Sequence, residues 1–281
     1  MEDHRMYVDA PQHELPPEAR LHQLIGGAMV TQMVAQAARL GIADHLEEGP
    51  LSVSELSRRV DAHPQALYRM LRALASCGVF KENADASFEL TEIGSFLREA
   101  APGSLRKWAM MSGAPWYWGT MGHAGFSLAT GRACFDDLYG KGPFDYFRDA
   151  PDAGALFYDT MSRFSNELIP HLLANYDFSS FRHLVDVGGG HGTLLSAILA
   201  AHPKLNGTLF DLPFVIEAVE KQHPPSALSF DRAGGNFFES VPAGGDAYLL
   251  KYILHDWSDA QAECILNNCR NARDKNGRVL V

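Results

Sequence analysis

The chain has 281 residues, 46% of them hydrophobic, with Lys+Arg 24 against Asp+Glu 34 and a net charge of -10. That length can bury a sizeable core in one large or two modest domains, and the acidic balance opposes a general affinity for nucleic acid or an anionic membrane surface. No stretch approaches the length of an apolar span and the opening M-E-D-H-R-M-Y-V-D-A lacks the apolar centre of a secretory leader, so a cytoplasmic location is expected.

Residues 1 to 18 carry Pro11, Pro16 and Pro17 among charges and are expected to form a flexible arm. From Arg20 to Leu40, Leu21, Leu24, Ile25, Ala28, Met29 and Met33 recur at helical spacing, which predicts a helix with a broad apolar face ended by Gly41. Ser52 and Glu55 have capping-box spacing, and Pro64 suits the first position of a second helix with Leu67, Met70, Leu71 and Leu74 inward. Val79 to Lys81 and Phe88 to Leu90, joined by E-N-A-D-A-S, then predict a β-hairpin. Two helices and a hairpin spell a winged helix. Because winged helices commonly bind DNA, Arg58, Arg59, Arg69 and Arg72 keep a transcriptional regulator open as a rival reading, although the acidic balance speaks against it.

Residues 105 to 182 read as largely helical and hold most of the aromatic side chains, enough to wall a pocket for a flat molecule. The run L-V-D-V-G-G-G-H-G, residues 184 to 192, then predicts a buried strand ending in a ligand-binding turn, and Thr193 to Ala201 a helix whose first amides face that ligand. The dinucleotide pattern G-x-G-x-x-G/A fits it imperfectly, since its third position falls on Thr193. D-x-G-x-G-x-G fits in full through Asp186, Gly188, Gly190 and Gly192, and is the first motif of class I S-adenosylmethionine (SAM) methyltransferases. A second strand, Gly207 to Phe210, delivers Asp211, placed to accept hydrogen bonds from a ribose. A helix over Val215 to Lys221, a third strand over Ala227 to Phe230 and a fourth over Ala247 to Leu250 follow, the last running into K-Y-I-L-H-D-W. Cys77, Cys134, Cys264 and Cys269 form no C-x-x-C pair and the twelve histidines show no H-E-x-x-H spacing, so reduced thiols and no metal are expected.

With V-D-V-G-G-G-H-G, F-D-L-P at 210 to 213, G-G-N-F-F at 234 to 238 and L-K-Y-I-L-H-D-W at 250 to 257, nearly the whole chain resembles the SAM-dependent small-molecule O-methyltransferases of the caffeic acid and acetylserotonin type, including bacterial natural-product members. The resemblance implies an α/β protein: a doubly wound, Rossmann-like class I sheet over 183 to 281, a helical pocket region over 105 to 182, and a winged-helix dimerisation domain over 19 to 104. It implies that Asp186, Gly188, Gly190, Gly192, Asp211, Leu212, Asn236, Phe237 and Lys251 hold SAM, that Met161, Phe164 and Trp257 meet an aromatic acceptor, and that His255 is the general base of a homodimeric enzyme. N-methylation of a heteroaromatic is the neighbouring alternative. Asn236 stands where the family carries an acid, and its amide oxygen still accepts a hydrogen bond. The chain stops at G-R-V-L-V within the fifth strand, whereas the resembled fold closes with two more, so a truncated sheet is expected and no carboxylate is assigned to His255.

Overall fold

Pro17 opens the first helix, α1 (Pro17–Arg39), where a missing N–H costs nothing, and Gly41 at φ 63 turns the chain out of it. The computed structural model describes residues 16–222 and 229–281, in two units divided between Tyr146 and Phe147. Most of the expected arm lies outside the described residues; its last two, Pro17 and Glu18, belong to α1, because proline suits the first helical turn.

In the first unit α1 is followed by α2 (Ile42–His45), β1 (Leu51–Ser52), α3 (Val53–Arg59), α4 (Pro64–Ser76), β2 (Phe80–Glu82), β3 (Ser87–Leu90) and α5 (Glu92–Ser95). The Ser52 hydroxyl accepts the Glu55 amide at 3.2 Å and fixes the start of α3. Leu67, Leu71 and Leu74 of α4 are buried against Leu56, Phe80 and Phe88, each contributing about 1.5–3 kcal/mol by leaving water. The hairpin is joined by a strand that its sequence did not announce: β1 pairs antiparallel with β3, giving the order β1-β3-β2. Arg106 locks this core, donating to the Ala38 carbonyl at 2.9 Å and to Asp44 at 2.8 Å. The carboxyl half of α1 buries Ala35, Ala37 and Ala38, whereas its amino half leaves Ile25 68% and Met29 69% exposed, with Leu21 and Leu24 alongside. Short helices follow: α6 (Arg106–Ser112), α7 (Pro115–Gly122), α8 (Ala124–Thr130) and α9 (Phe135–Tyr139), and the division between the units falls within α10 (Pro143–Asp149). Their aromatic residues pack on one another, Trp108 and Trp116 each edge-on to Tyr117.

The second unit runs through α11 (Pro151–Asn175), β4 (His183–Val187), α12 (Thr193–Ala201), β5 (Asn206–Asp211), α13 (Pro213–Gln222), β6 (Asp231–Gly234), β7 (Ala247–Leu249), α14 (Asp259–Ala272) and β8 (Arg278–Leu280). Its sheet is parallel throughout in the order β6-β5-β4-β7-β8. Leu184 packs into one apolar layer and Val185 and Val187 into the other, which is why β4 reads as an unbroken apolar run instead of an alternating one. The third strand is displaced from its expected place. Ala227 and Leu228 lie outside the described residues, while β6 is Asp231–Gly234, paired with Thr208 to Asp211. Phe230, the apolar residue that suggested the earlier position, is buried in the core beside the glycine turn.

Candidate functional site

After β4 the chain crosses to β5 and β6 on one side and later returns to β7 and β8 on the other, so the order reverses between β4 and β7. The crevice beyond the carboxyl ends of strands at such a reversal is where doubly wound sheets bind ligands. Gly188 to Gly192, Asp211 and the segment Lys251 to Trp257 all leave strands at that end.

Gly188, Gly190 and Gly192 have φ of 70, 59 and 73, a left-handed backbone that side chains with a Cβ rarely adopt. The Gly190 amide donates to Asp211 Oδ2 at 2.8 Å, and the Leu212 amide to Asp211 Oδ1 at 2.7 Å. Burial raises the Asp211 carboxyl to about 6 despite those two donors. Asp186, one residue before the end of β4, is 2% exposed, and its Oδ2 has no hydrogen-bond partner among the described residues. Burial carries its carboxyl to about 7, with the Lys251 ammonium pulling the other way and Asp211 adding to the rise. Lys251 is itself lowered by burial, an effect opposed by Asp186, and its Nζ donates to Ser165 Oγ at 2.5 Å. The crevice thus contains two buried acids, one of which, Asp186, interacts with a half-buried ammonium.

Ser165 lies on α11, which presents Tyr158, Met161 and Ser165 at three- and four-residue spacing on one face. Tyr158 rests against His191 of the glycine turn, ring centroids 5.6 Å apart, and Met161 accepts the Ser165 hydroxyl on its carbonyl at 3.0 Å. Phe164 is half-buried on the same helix. Asn236 accepts the Phe238 amide on its Oδ1 at 3.0 Å, closing the turn after β6, while Asn268 holds the Phe237 carbonyl at 2.8 Å. The Phe237 ring lies over Gly188 and packs edge-on against Trp257, centroids 5.8 Å apart; Trp257 also meets Phe238 at 4.7 Å.

Tyr252, at φ 57, marks a strained backbone between Lys251 and His255, and strain of this kind persists only where surrounding contacts enforce it. His255 stands on a single 3-10 turn, Leu254–Asp256, with its side chain 62% exposed and its ring stacked on Tyr252 at 5.7 Å. Its Nε2 lies 3.2 Å from Asp256 Oδ1. Burial raises the Asp256 carboxyl, and His255 opposes that rise. A carboxylate therefore does neighbour the histidine, supplied by the next residue in the chain. From the sequence Tyr158 counted only among the aromatic residues that could wall the pocket, and Asp256 and Ser165 were given no role; Ser165 and Tyr158 could have been found by extending the helical face of Met161 one turn each way.

These residues fit SAM on their own chemistry. The orphaned, deeply buried Asp186 oxygen suits a ligand with positive centres and Asp211 suits a sugar diol, while at Gly190 a Cβ would sit in ordinary van der Waals contact with the Tyr158 ring at 3.6 Å.

The O-methyltransferase domain model matches residues 122–281 and the O-methyltransferase dimerisation domain model residues 22–99. The chain is 37% identical to a phenazine O-methyltransferase of Lysobacter antibioticus over 95% of this chain and 79% of that protein. Its fold is similar to the mitomycin 7-O-methyltransferase structure, with TM-score 0.87, 33% identity and coverage of 93% and 78%. A neocarzinostatin-biosynthesis O-methyltransferase solved with SAM and 2-hydroxy-5-methyl naphthoic acid gives TM-score 0.79, 34% identity and coverage of 89% and 78%. A dimerisation domain, a doubly wound class I sheet and a glycine turn flanked by buried acids together place the chain in the SAM-dependent O-methyltransferase family.

Proposed function

We propose that this O-methyltransferase acts on an aromatic small molecule of the natural-product kind, and that His255 takes up the proton of the hydroxyl that is methylated. The observation that supports this best is the position of His255: beyond β7, at the strand reversal, on a short turn with its ring accessible and Nε2 beside Asp256. A phenol loses its proton near pH 10 and an ordinary imidazole near 6.5, so a neutral histidine in reach can accept that proton as the oxygen attacks.

SAM, when bound, supplies a methyl group already activated on a sulfonium. The protein's share is to hold, align and exclude water. In this reading Asp186, the turn Gly188 to Gly192, Asp211 with Leu212, Asn236, Phe237 and Lys251 hold the cofactor, and the Lys251–Ser165 hydrogen bond fixes the amine on one wall. Met161, Phe164 and Trp257 meet the acceptor ring. The aromatic class follows the relatives, one named for a phenazine and one solved with a naphthoic acid.

The same reading takes residues 19 to 104 as a dimerisation domain, 105 to 182 as the pocket region and 183 to 281 as the cofactor domain, in a cytoplasmic homodimer that engages neither nucleic acid nor membrane. No helix among the described residues is long and apolar enough to cross a membrane. The decisive experiment incubates the purified protein with methyl-labelled SAM and a panel of phenols, naphthols, hydroxyphenazines and heteroaromatic amines, beside an S-adenosylhomocysteine titration and a DNA gel shift. Label entering the amines alone would overturn O-methylation of an aromatic hydroxyl, and a gel shift without cofactor binding would return the chain to the regulator reading.

A further inference from the structure

Tyr158 is 8% exposed, and its hydroxyl is fully buried without a hydrogen-bond partner among the described residues. Leaving a phenol oxygen dry and unpaired costs roughly 1–3 kcal/mol, so such a group in a native protein asks for an explanation. Its ring is fixed on three sides, by Phe157 at 5.3 Å, His191 at 5.6 Å and Phe214 at 6.5 Å between centroids. His191 belongs to the glycine turn and Phe214 stands three residues after Asp211. The missing Cβ of Gly190 would lie 3.6 Å from Tyr158 Cδ1, and the Gly190 amide is the group that donates to Asp211. Tyr158 therefore stands over the short stretch that joins the glycine turn to the acid ending β5.

Burial, helped by the nearby Asp211 carboxylate, pushes the phenol proton's release far above its ordinary range. The hydroxyl stays a donor at every working pH. Asp211 can only accept when ionised, and both of its oxygens already take a backbone amide. A sugar diol needs acceptors for its protons and a donor for its oxygens; Asp211 provides the first and the Tyr158 hydroxyl the second.

We propose that Tyr158 is a cofactor-binding residue whose hydroxyl donates to a ribose oxygen of the bound adenosyl group, completing with Asp211 a two-sided clamp on the diol. This rests on the cofactor reading above. The side chain comes from α11, outside the glycine and strand-end motifs that mark the site in sequence, so α11 takes part in holding the cofactor as well as in walling the crevice.

The test compares the wild-type chain with Tyr158→Phe, which removes one oxygen and keeps the packed ring. Isothermal titration uses two probes, S-adenosylhomocysteine and 5′-methylthioadenosine, which share adenine and ribose while only the first carries the amino-acid end. Tyr158→Phe should weaken both by a similar factor, about 2- to 13-fold, the loss expected for one neutral hydrogen bond. The melting temperature of the ligand-free protein should stay level or rise, since an unpaired buried hydroxyl has been deleted. Unchanged affinity for both probes would overturn the proposal, and a loss confined to S-adenosylhomocysteine would move the contact to the amino-acid end and overturn the ribose assignment. Absence of binding by the wild type would count against the cofactor reading itself. Should Tyr158→Phe melt well below wild type, the titrations are run at a temperature where the variant is fully folded: loss of affinity for both probes there supports the contact, and wild-type affinity overturns it.

Discussion

Gly190 donates its amide to Asp211 Oδ2 at 2.8 Å, so the turn leaving β4 and the acid ending β5 are held as one piece before any ligand arrives. The neighbouring glycines have different reasons for being glycine. At Gly188 a Cβ would lie 2.4 Å from Ile253 Cδ1 and at Gly192 2.7 Å from Phe230 Cζ, whereas at Gly190 the nearest atom is 3.6 Å away.

Gly192→Ala should therefore destabilise the fold by about 2–3 kcal/mol, from the left-handed strain and the collision with a buried ring together. Gly190→Ala should cost only about 1–2 kcal/mol, the strain alone, yet weaken S-adenosylhomocysteine binding at least as much as Gly192→Ala does. Denaturant melts and titration on the two variants check this. A larger loss of stability in Gly190→Ala than in Gly192→Ala would mean that contact with the Tyr158 ring, and not backbone strain alone, sets the cost at Gly190.

Asp186 gives the free protein a defined pH dependence. Burial raises its carboxyl from an ordinary 3.8 to about 7, and that of Asp211 to about 6. Between about pH 4 and those values the native state holds protons that the unfolded chain has released, so stability falls as pH rises through the window and levels off above it. Asp186→Asn cannot titrate. Relative to that variant, wild-type protein should lose several degrees of melting temperature between pH 5 and pH 8, by an effect on the order of 1–3 kcal/mol. Parallel curves for the two proteins would show that Asp186 remains ionised in the fold, neutralised by Lys251.

The parts of this site that the sequence disclosed are those where backbone geometry demands a residue type. Left-handed turns demand glycine, and a strand buried on both faces demands an apolar run; hence β4, its turn and Asp211 were legible. The edge strand β6, D-R-A-G, has neither signal: its residues are half-buried or exposed, and the apolar Phe230 just before it drew the expected strand forward. Strand β1 is two residues long and exists through pairing with β3, a contact no local pattern encodes. Ser165 and Tyr158 belong to the site because α11 crosses the glycine turn, and helix periodicity reports a face without naming what it faces. Asp256 was given no role because the resemblance places the histidine's acidic partners partly beyond the last residue, whereas the 3-10 turn brings the next residue in the chain against the ring.

The amino half of α1 leads to a prediction about assembly. Leu21, Leu24, Ile25 and Met29 are all exposed, and the last three lie within residues 22–99, which the dimerisation domain model matches. A contiguous apolar patch of this kind marks an association surface. Ile25→Glu combined with Met29→Glu should convert a dimer into monomers at micromolar concentration by light scattering, while the melting of the first unit changes little because neither side chain is buried there. A double variant that remains dimeric would place the interface elsewhere.

The last expectation concerns His255 and its neighbour together. If the imidazole accepts the proton of the acceptor hydroxyl, His255→Ala should lower kcat by about two to four orders of magnitude with S-adenosylhomocysteine affinity nearly unchanged, because the group acts on the transition state and not on cofactor binding. The deficit should shrink as acceptors of lower pKa are used, since a hydroxyl already ionised in water needs no base. Asp256, 3.2 Å from Nε2, adds a second handle. A carboxylate in that position stabilises the imidazolium formed on proton uptake, so Asp256→Asn should slow turnover by about tenfold, an effect of about 1.4 kcal/mol. In the His255→Ala background the same change should do nearly nothing, because its influence runs through the imidazole. Independent, multiplying losses in the double variant would assign Asp256 a role of its own, and near wild-type turnover of His255→Ala on a weakly acidic phenol would leave alignment alone to drive the transfer.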